Sequence, residues 1–353
     1  MTATPPTDRT VKLVNPLEDA NWEARLLSHP GYSFFHTAAW ARVMWQTYGY
    51  EPAYFTVQDG NRLVALLPTM EASSWLKGRR GIGLPFTDVC QLLDEDGLVE
   101  RALLPEAIKL GERRRWKYLE VRGNRQQFGN VPVWDAYVTH ELDLCMDTDR
   151  LFENCESAVR RAIRKGEREG VRVEILRTEE AMKEFYRLHC YTRRKHGLPP
   201  QSFTFFHNIY KYIIGRLLGF ICLARWQGQV ISGAIFLHIG KRALYKYGAS
   251  DMRYQALRGN NLVMWEAIKF YGQHGYESLH FGRTDLPAEG LRRFKCGWGA
   301  AERALEYVRY DFRNRAFVGK DTQEQNVWTN RMFQTMPVGV GRLIGKLAYR
   351  HMA

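Results

Sequence analysis

The chain has 353 residues, enough for two domains of ordinary size, and 45% of them are hydrophobic, enough for packed cores. No run reaches the roughly 18 apolar residues of a membrane span, and the opening MTATPPTDRT has no apolar h-region, so neither a spanning helix nor a secretory signal is predicted. The net charge of +13 points to an anionic partner: a nucleotide-linked or lipid-linked substrate, a tRNA, or an anionic membrane surface.

Residues 1–15 are polar and proline-bearing and read as a flexible lead-in. Thr37 is a fair N-cap for a helix over Ala38–Tyr48, with Gly49 as its stop. Two short apolar runs, 53–57 and 62–68, flank Asp59-Gly60 and predict a hairpin. GIGLPFTD (81–88) then reads as a glycine-punctuated loop at a cleft edge, and a helix (about 98–115) and strands over 118–122 and 136–144 complete a first domain, 16–148.

The second domain, 149–315, opens on a basic helical stretch from Asp149 to Glu169 in which Arg161, Arg164, Lys165 and Arg168 lie three or four apart. A strand (171–176), helices over 179–195 and 203–218, a three-strand meander from Phe220 to Gly248 and a helix over 260–274 follow. Helix, strand, glycine turn, strand thus occurs twice, around Gly60 and again around Gly228. The rhyme predicts two related α/β units rather than one large sheet.

The stretch from Glu277 to Gly299 organises the rest. It begins as a strand, breaks at Gly282, and is expected to run through a polar loop to Phe294-Lys295-Cys296-Gly297-Trp298-Gly299. A lysine set between aromatics can present a charge at the floor of a cleft; a surface loop with a packed tryptophan is the plain alternative. Arg283 and Asp285 follow on a strand end, where ligand loops gather, although Asp285 equally suits a local turn. Tyr247 alternates with Tyr245 on a strand, facing ligand or core. Glu120 and Arg122 share a side of their strand, where they either line a cleft or pair with each other, the pair being the favoured reading. His189 and His238 read as structural histidines. The six cysteines show no metal-type spacing, and no HExxH or GxSxG occurs, which weakens metallohydrolase and serine-hydrolase readings.

FHTAAW, GLPFTD, YLEVR, RRAIRKGEREGV, ISGAI, LYKYGAS and FGRTD…GLRRFKCGWG follow one another in an order that resembles the Fem-type (FemAB-like) peptidoglycan-bridge aminoacyltransferases and their acetyltransferase-like relatives. Across residues 30 to 310 the resemblance implies two tandem GNAT-like domains, each a mixed sheet flanked by helices. It implies an N-acyltransferase acting on an amine of a cell-envelope or exopolysaccharide precursor, with no metal and no bound cofactor; a cytoplasmic setting is expected separately, from cysteines that read as free buried thiols. Carried over residue by residue, the family's Phe-Lys pair falls on Phe294 and Lys295, the lysine neutralising the oxyanion formed as the amine attacks. The first-domain loop residue that contacts the acceptor falls on Asp88. Trp298 and Arg258 are expected at the substrate.

The chain departs from the family in lacking a coiled-coil insertion. It also has no clear Q/R-x-x-G-x-G/A cradle; the nearest stretch, Arg253 to Asn260, stands before a predicted helix whose start suits an anion. The donor is left open between acyl-CoA and aminoacyl-tRNA. Residues 316–353 form a basic amphipathic segment: between Asn326 and Ala353, Arg331, Arg342, Lys346 and Arg350 interleave with Phe333, Leu343, Ile344 and Leu347. It suits an anionic membrane surface, or a tail packed back on the domain. An RNA-binding module and a catalytically idle Fem-like scaffold are the competing function classes.

Overall fold

The computed structural model describes residues 10–123, 125–320 and 337–351. Arg331, Phe333 and the first nine residues of the expected lead-in lie outside the described residues. The chain forms two compact units, residues 10–137 with 305–320, and residues 138–304 with 337–351.

In chain order the first unit contains β1 (Val11–Val14), α1 (Trp22–Leu27), α2 (Ala38–Tyr48), β2 (Glu51–Pro52), β3 (Tyr54–Asp59), β4 (Arg62–Leu67), β5 (Met70–Ser74), β6 (Gly78–Ile82), β7 (Leu93–Asp94), α3 (Leu104–Arg114) and β8 (Tyr118–Arg122). β9 (Asp135–Asp143) carries the chain into the second unit. There follow α4 (Thr148–Asn154), α5 (Ser157–Arg168), β10 (Arg172–Leu176), α6 (Glu179–Lys195), α7 (Phe203–Tyr212), β11 (Gly219–Trp226), β12 (Gln229–Ile239), β13 (Arg242–Ser250), α8 (Gly259–Gln273), β14 (Ser278–Asp285) and α9 (Glu289–Cys296). β15 (Ala301–Asp311) returns the chain to the first unit, where β16 (Ala316–Phe317) pairs with it; α10 (Val338–Ala348) belongs to the second. The sequence reading placed the boundaries after residues 148 and 315. The units part at 137/138 and 304/305, inside two unbroken strands that composition does not mark.

Both units are mixed α/β, and the repeat inferred from Gly60 and Gly228 has a structural counterpart. In the first, β6 runs through α3 into parallel β8; in the second, β13 runs through α8 into parallel β14. The long strand β12 corresponds to two pieces, β4 and β5, interrupted at Pro68, which has no N–H to give a ladder. β4 therefore sits in a four-stranded sheet, β1-β3-β4-β7, while β5 pairs with β6. Val11–Val14 is not part of a loose lead-in: it pairs antiparallel with Tyr54–Val57, extended apolar chain completing a sheet edge.

In the second unit the sheet runs β10-β11-β12-β13-β14-β9. Its core packs α5 and α8 against the strands, with Ile163, Phe236, Met264, Phe281 and Trp298 all buried. α6 begins where Thr178 accepts the Ala181 N–H; acids in its first turn and Arg193, Arg194 and Lys195 in its last complement the helix dipole. His189 on this helix is a core histidine, enclosed by Phe185, Tyr186 and Phe206. Burial, with Arg193 adding to it, pushes its imidazole down to about 3. Below the unfolded value the unfolded chain takes a proton that the folded chain refuses, so stability falls with falling pH. Between pH 7 and pH 5 this group alone should cost about 2 kcal/mol. In urea titrations at those two pH values, the acid loss should be smaller by that amount in His189→Phe; an unchanged loss would show that other groups set the acid limb.

Candidate active site

The site is built where β13 and β14 part. Their parallel register runs from Arg242↔Ser278 to Leu244↔His280 and ends there, although both strands continue. On its other side β13 stays paired to β12, but with a bulge: Phe236 faces Tyr245 while Ile235 faces Tyr247. The extra residue, Lys246, sends the two tyrosines to opposite faces, where plain alternation would have left them on one. Tyr245 packs on Phe236 and Phe281; Tyr247 packs on His189, Phe205 and Phe206.

Beyond the splay the chain turns through Asp251 to Arg258 and enters α8. Arg258 takes a left-handed conformation (φ 59°), and no side chain caps the helix's first turn. A cavity of about 170 Å³ opens against that turn, lined among others by Ser232, Asp251, Arg258, Gly259, Asn260 and Phe294. Gly259 is required there: a Cβ would stand 2.6 Å from the Ser232 hydroxyl and 3.2 Å from Ile231. The Asp251 carboxylate would repel an anion, but Arg253 Nε and Nη2 donate to it at 3.1 and 2.6 Å. That pairing holds its carboxyl below the usual range. Uncapped N–H groups, a helix dipole and Arg258 leave the cavity suited to negative charge.

The stretch after β14 differs from the expected loop. Pro287 and Gly290 do not prolong a coil; residues 289–296 form α9, with Pro287 standing just ahead of its first turn, where a proline costs no helical hydrogen bond. Lys295 on this helix is 2% exposed, and its Nζ donates to the carbonyls of Gly282 and Arg283, both at 3.1 Å. The ammonium is thereby fixed at the end of β14, where the strand has left β13.

The expected site residues separate into groups. Arg258 and Phe294 meet at the cavity. Lys295 and Arg283 are joined through the latter's carbonyl, and Asp285 is exposed, its own carbonyl accepting the Ala288 N–H in a turn. Trp298 stands edge-on to Phe294 at 6.0 Å but is wholly buried in the core, which gives it a packing role. Tyr247 belongs with the aromatic side chains of α6 and α7. Asp88 lies in the first unit, where its carbonyl accepts the Tyr307 hydroxyl at 2.9 Å. Glu120 and Arg122 are paired as expected, at 3.0 Å, and Arg309 adds a second guanidinium.

The sequence reading missed His140 and Glu302, and so did not tie Arg292, one of the arginines it placed near the site, to them. His140 is buried on β9 with Nε2 2.9 Å from Glu302, whose two oxygens accept from Arg292 at 2.6 and 2.9 Å. Cys296 completes a His-Cys-Glu group whose donor atoms all lie within 4.8 Å. By residue type it resembles a metal set, yet Arg292 occupies both carboxylate oxygens. Burial first, and then the nearby Lys295 charge, depress the imidazole's pKa, so His140 meets Glu302 as a neutral hydrogen-bonding partner; the Arg292 and Lys295 charges are what disfavour a further cation here. No sequence signal links residues 162 positions apart. The basic stretch 149–169 is likewise two helices; it breaks at Cys155-Glu156, where the Glu156 N–H donates to Gly297 O at 2.8 Å.

Comparison with known proteins points the same way as this geometry. Residues 153–302 match the family model of the acetyltransferase (GNAT) domain. That part of the chain is similar to a GNAT domain. The lipid II:glycine glycyltransferase of Staphylococcus haemolyticus is 35% identical over 79 residues, which is 21% of this chain and 19% of that protein, so the match spans about a fifth of the relative's length. Among solved structures, FemX superposes with a TM-score of 0.67 at 16% identity, over 84% of this chain and 96% of its own. A tandem GNAT protein from the clavulanic acid biosynthesis pathway gives 0.51 at 12% identity, over 85% and 98%. The Fem-like resemblance and the tandem GNAT-like fold of the sequence reading both hold. Among the described residues no helix is long and apolar enough to cross a membrane.

Proposed function

We propose that this Fem-like protein is an N-acyltransferase that moves an acyl or aminoacyl group from an activated ester or thioester to an amine of a cell-envelope precursor. The observation that carries the reading is the anion-suited cavity at the start of α8, beside the open wedge between β13 and β14. At about 170 Å³ it is smaller than the ~300–1,000 Å³ of a complete small-molecule site, so it holds one end of a donor, the phosphates. The rest of the donor lies along β13 beyond Leu244, where its pairing with β14 has ended. Lys295 then supplies positive charge as the amine attacks the donor carbonyl and the carbonyl oxygen becomes anionic. Breaking the bond to sulfur or to the ribose oxygen restores the carbonyl, and the proton lost by the amine passes through solvent to the departing thiolate or alkoxide.

Acyl-CoA and aminoacyl-tRNA both offer phosphates to this cavity. The staphylococcal relative's name specifies lipid II, and a lipid-linked acceptor here would place the protein at the inner face of an anionic membrane, which the basic C-terminal segment suits. Arg283 and Asp285 of the second unit are the proposed acceptor contacts.

Titrating the protein with acetyl-CoA and, separately, with a charged tRNA tests the donor class. The productive donor should bind more weakly as salt rises. Arg258→Gln should weaken it about tenfold, the effect of losing one charge-assisted hydrogen bond. Binding that ignores both salt and Arg258 would remove the cavity from the reaction.

A further inference from the structure

α10 carries its own surface argument. Its inner face is small and docked: Gly341, Gly345 and Tyr349 are buried, and a Cβ on Gly345 would stand 1.9 Å from the Pro200 carbonyl. The Tyr349 hydroxyl donates to Pro199 O at 3.1 Å and accepts from Arg193 Nη2 at 2.7 Å. The tail is thus packed back on the second unit, one of the two expectations for it. Packing leaves the other expectation standing, because only one face is used.

The outer face presents Val340, Leu343 and Leu347, 47%, 61% and 66% exposed and spaced three and four apart in one stripe. Arg342, Lys346 and Arg350 are exposed beside it, and residues 337–351 include no acid. Arg342 lies over the Tyr186 ring, 5.2 Å from its centroid, and both help line a cavity of about 400 Å³. Lys183, Arg187, Tyr191 and Phe203 complete most of that wall, and among the described residues no carboxylate lines it. Lys183 also reaches Glu179 at 3.4 Å, on the turn before it.

We propose that this face is a membrane-docking surface: Leu343 and Leu347 enter the headgroup boundary of an anionic bilayer while Arg342, Lys346 and Arg350, with the adjoining cavity, take lipid phosphates. An apolar stripe flanked, among the described residues of this helix, by cations and no acid matches a lipid interface. A protein interface would instead be depleted in lysine at its core and would call for carboxylates opposite. The proposal deepens the lipid-linked acceptor reading and rests on it for purpose, while its evidence is the helix itself.

Vesicle flotation decides it without any substrate. The full chain should float with vesicles of phosphatidylcholine plus phosphatidylglycerol and stay unbound with phosphatidylcholine alone. Leu343→Ser/Leu347→Ser should abolish flotation. Arg342→Gln/Lys346→Gln/Arg350→Gln should weaken it about a hundredfold, at roughly fivefold per cation. All three proteins should keep the same urea midpoint and the same acetyl-CoA or tRNA binding. Failure to float at all, or flotation of both variants like the parent, overturns the surface and leaves acyl transfer untouched. A parent that self-associates through this face, and becomes monomeric in the leucine variant without lipid, overturns it equally. Loss of donor binding with flotation intact would strike the acyltransferase reading instead.

Discussion

Lys295→Met should lower turnover by roughly 10²–10³-fold, the usual consequence of removing one partner of a developing oxyanion. Methionine keeps the length and apolar stem of lysine and removes only the ammonium. The structure makes that ammonium a positioned group: it is 2% exposed, donating to Gly282 and Arg283 carbonyls at the point where β14 has separated from β13. A charge held in a dry setting acts more strongly on a nearby oxyanion than one in water. Donor affinity should stay within about twofold, since the phosphate cavity is lined by Arg258, Gly259 and Phe294 rather than by Lys295. Lys295→Arg should recover only part, because a planar guanidinium places its donors elsewhere. The two carbonyls lose their partner in Lys295→Met, so a urea denaturation curve belongs beside the rate measurement. Near-parental turnover by folded Lys295→Met would place the chemistry elsewhere; a variant that does not fold would make the lysine structural.

Trp298→Ala should cost about 3–5 kcal/mol of stability, the range for emptying a buried large aromatic site. Its side chain is wholly enclosed in the second unit's core, near Phe294 and among residues that include Leu279 and Phe281. Trp298→Phe should retain most of the stability, because it keeps an aromatic ring in the same space. The folded fraction of either variant should still bind donor. Denaturation by urea and donor titration on the same samples separate the two roles. Unchanged stability with lost acyl transfer would return Trp298 to the substrate.

Much of the fold was legible because its signals are local. Thr37, Thr178 and Ser202 each cap a helix at the expected start, and the turns at Gly60 and Gly228 fall between the expected strands. Alternation and helical spacing act over a few residues, which is what a sequence displays directly. The short strand β5, by contrast, falls where no element is predicted, and the end of β6 falls in the predicted loop. Arg79, Arg80 and Gly81 carry no strand propensity, and their conformation comes from pairing with Met70–Ser74.

The candidate site divides along the same line. Lys295 and Phe294 were singled out from their neighbours and from resemblance, and Arg258 from its place before a helix. Two sequence-level expectations were altered by long-range geometry: Trp298 sits in a core, and Tyr247 is turned away from Tyr245 by a bulge that depends on the register of β12 against β13. The Arg292–Glu302–His140 network needs α9, β15 and β9 to meet, and none of its members announces the others.

By itself the sequence determined the basic charge, the duplicated α/β pattern, most helix limits and the identity of the lysine. Only the tertiary structure decided where β13 parts from β14, which carbonyls hold that lysine, and which face of α10 remains exposed. Charge and periodicity are sums and repeats over neighbouring residues. A splayed strand pair, a buried ammonium and a half-docked helix are set by contacts between segments far apart in the chain, and a sequence carries no record of which of its segments touch.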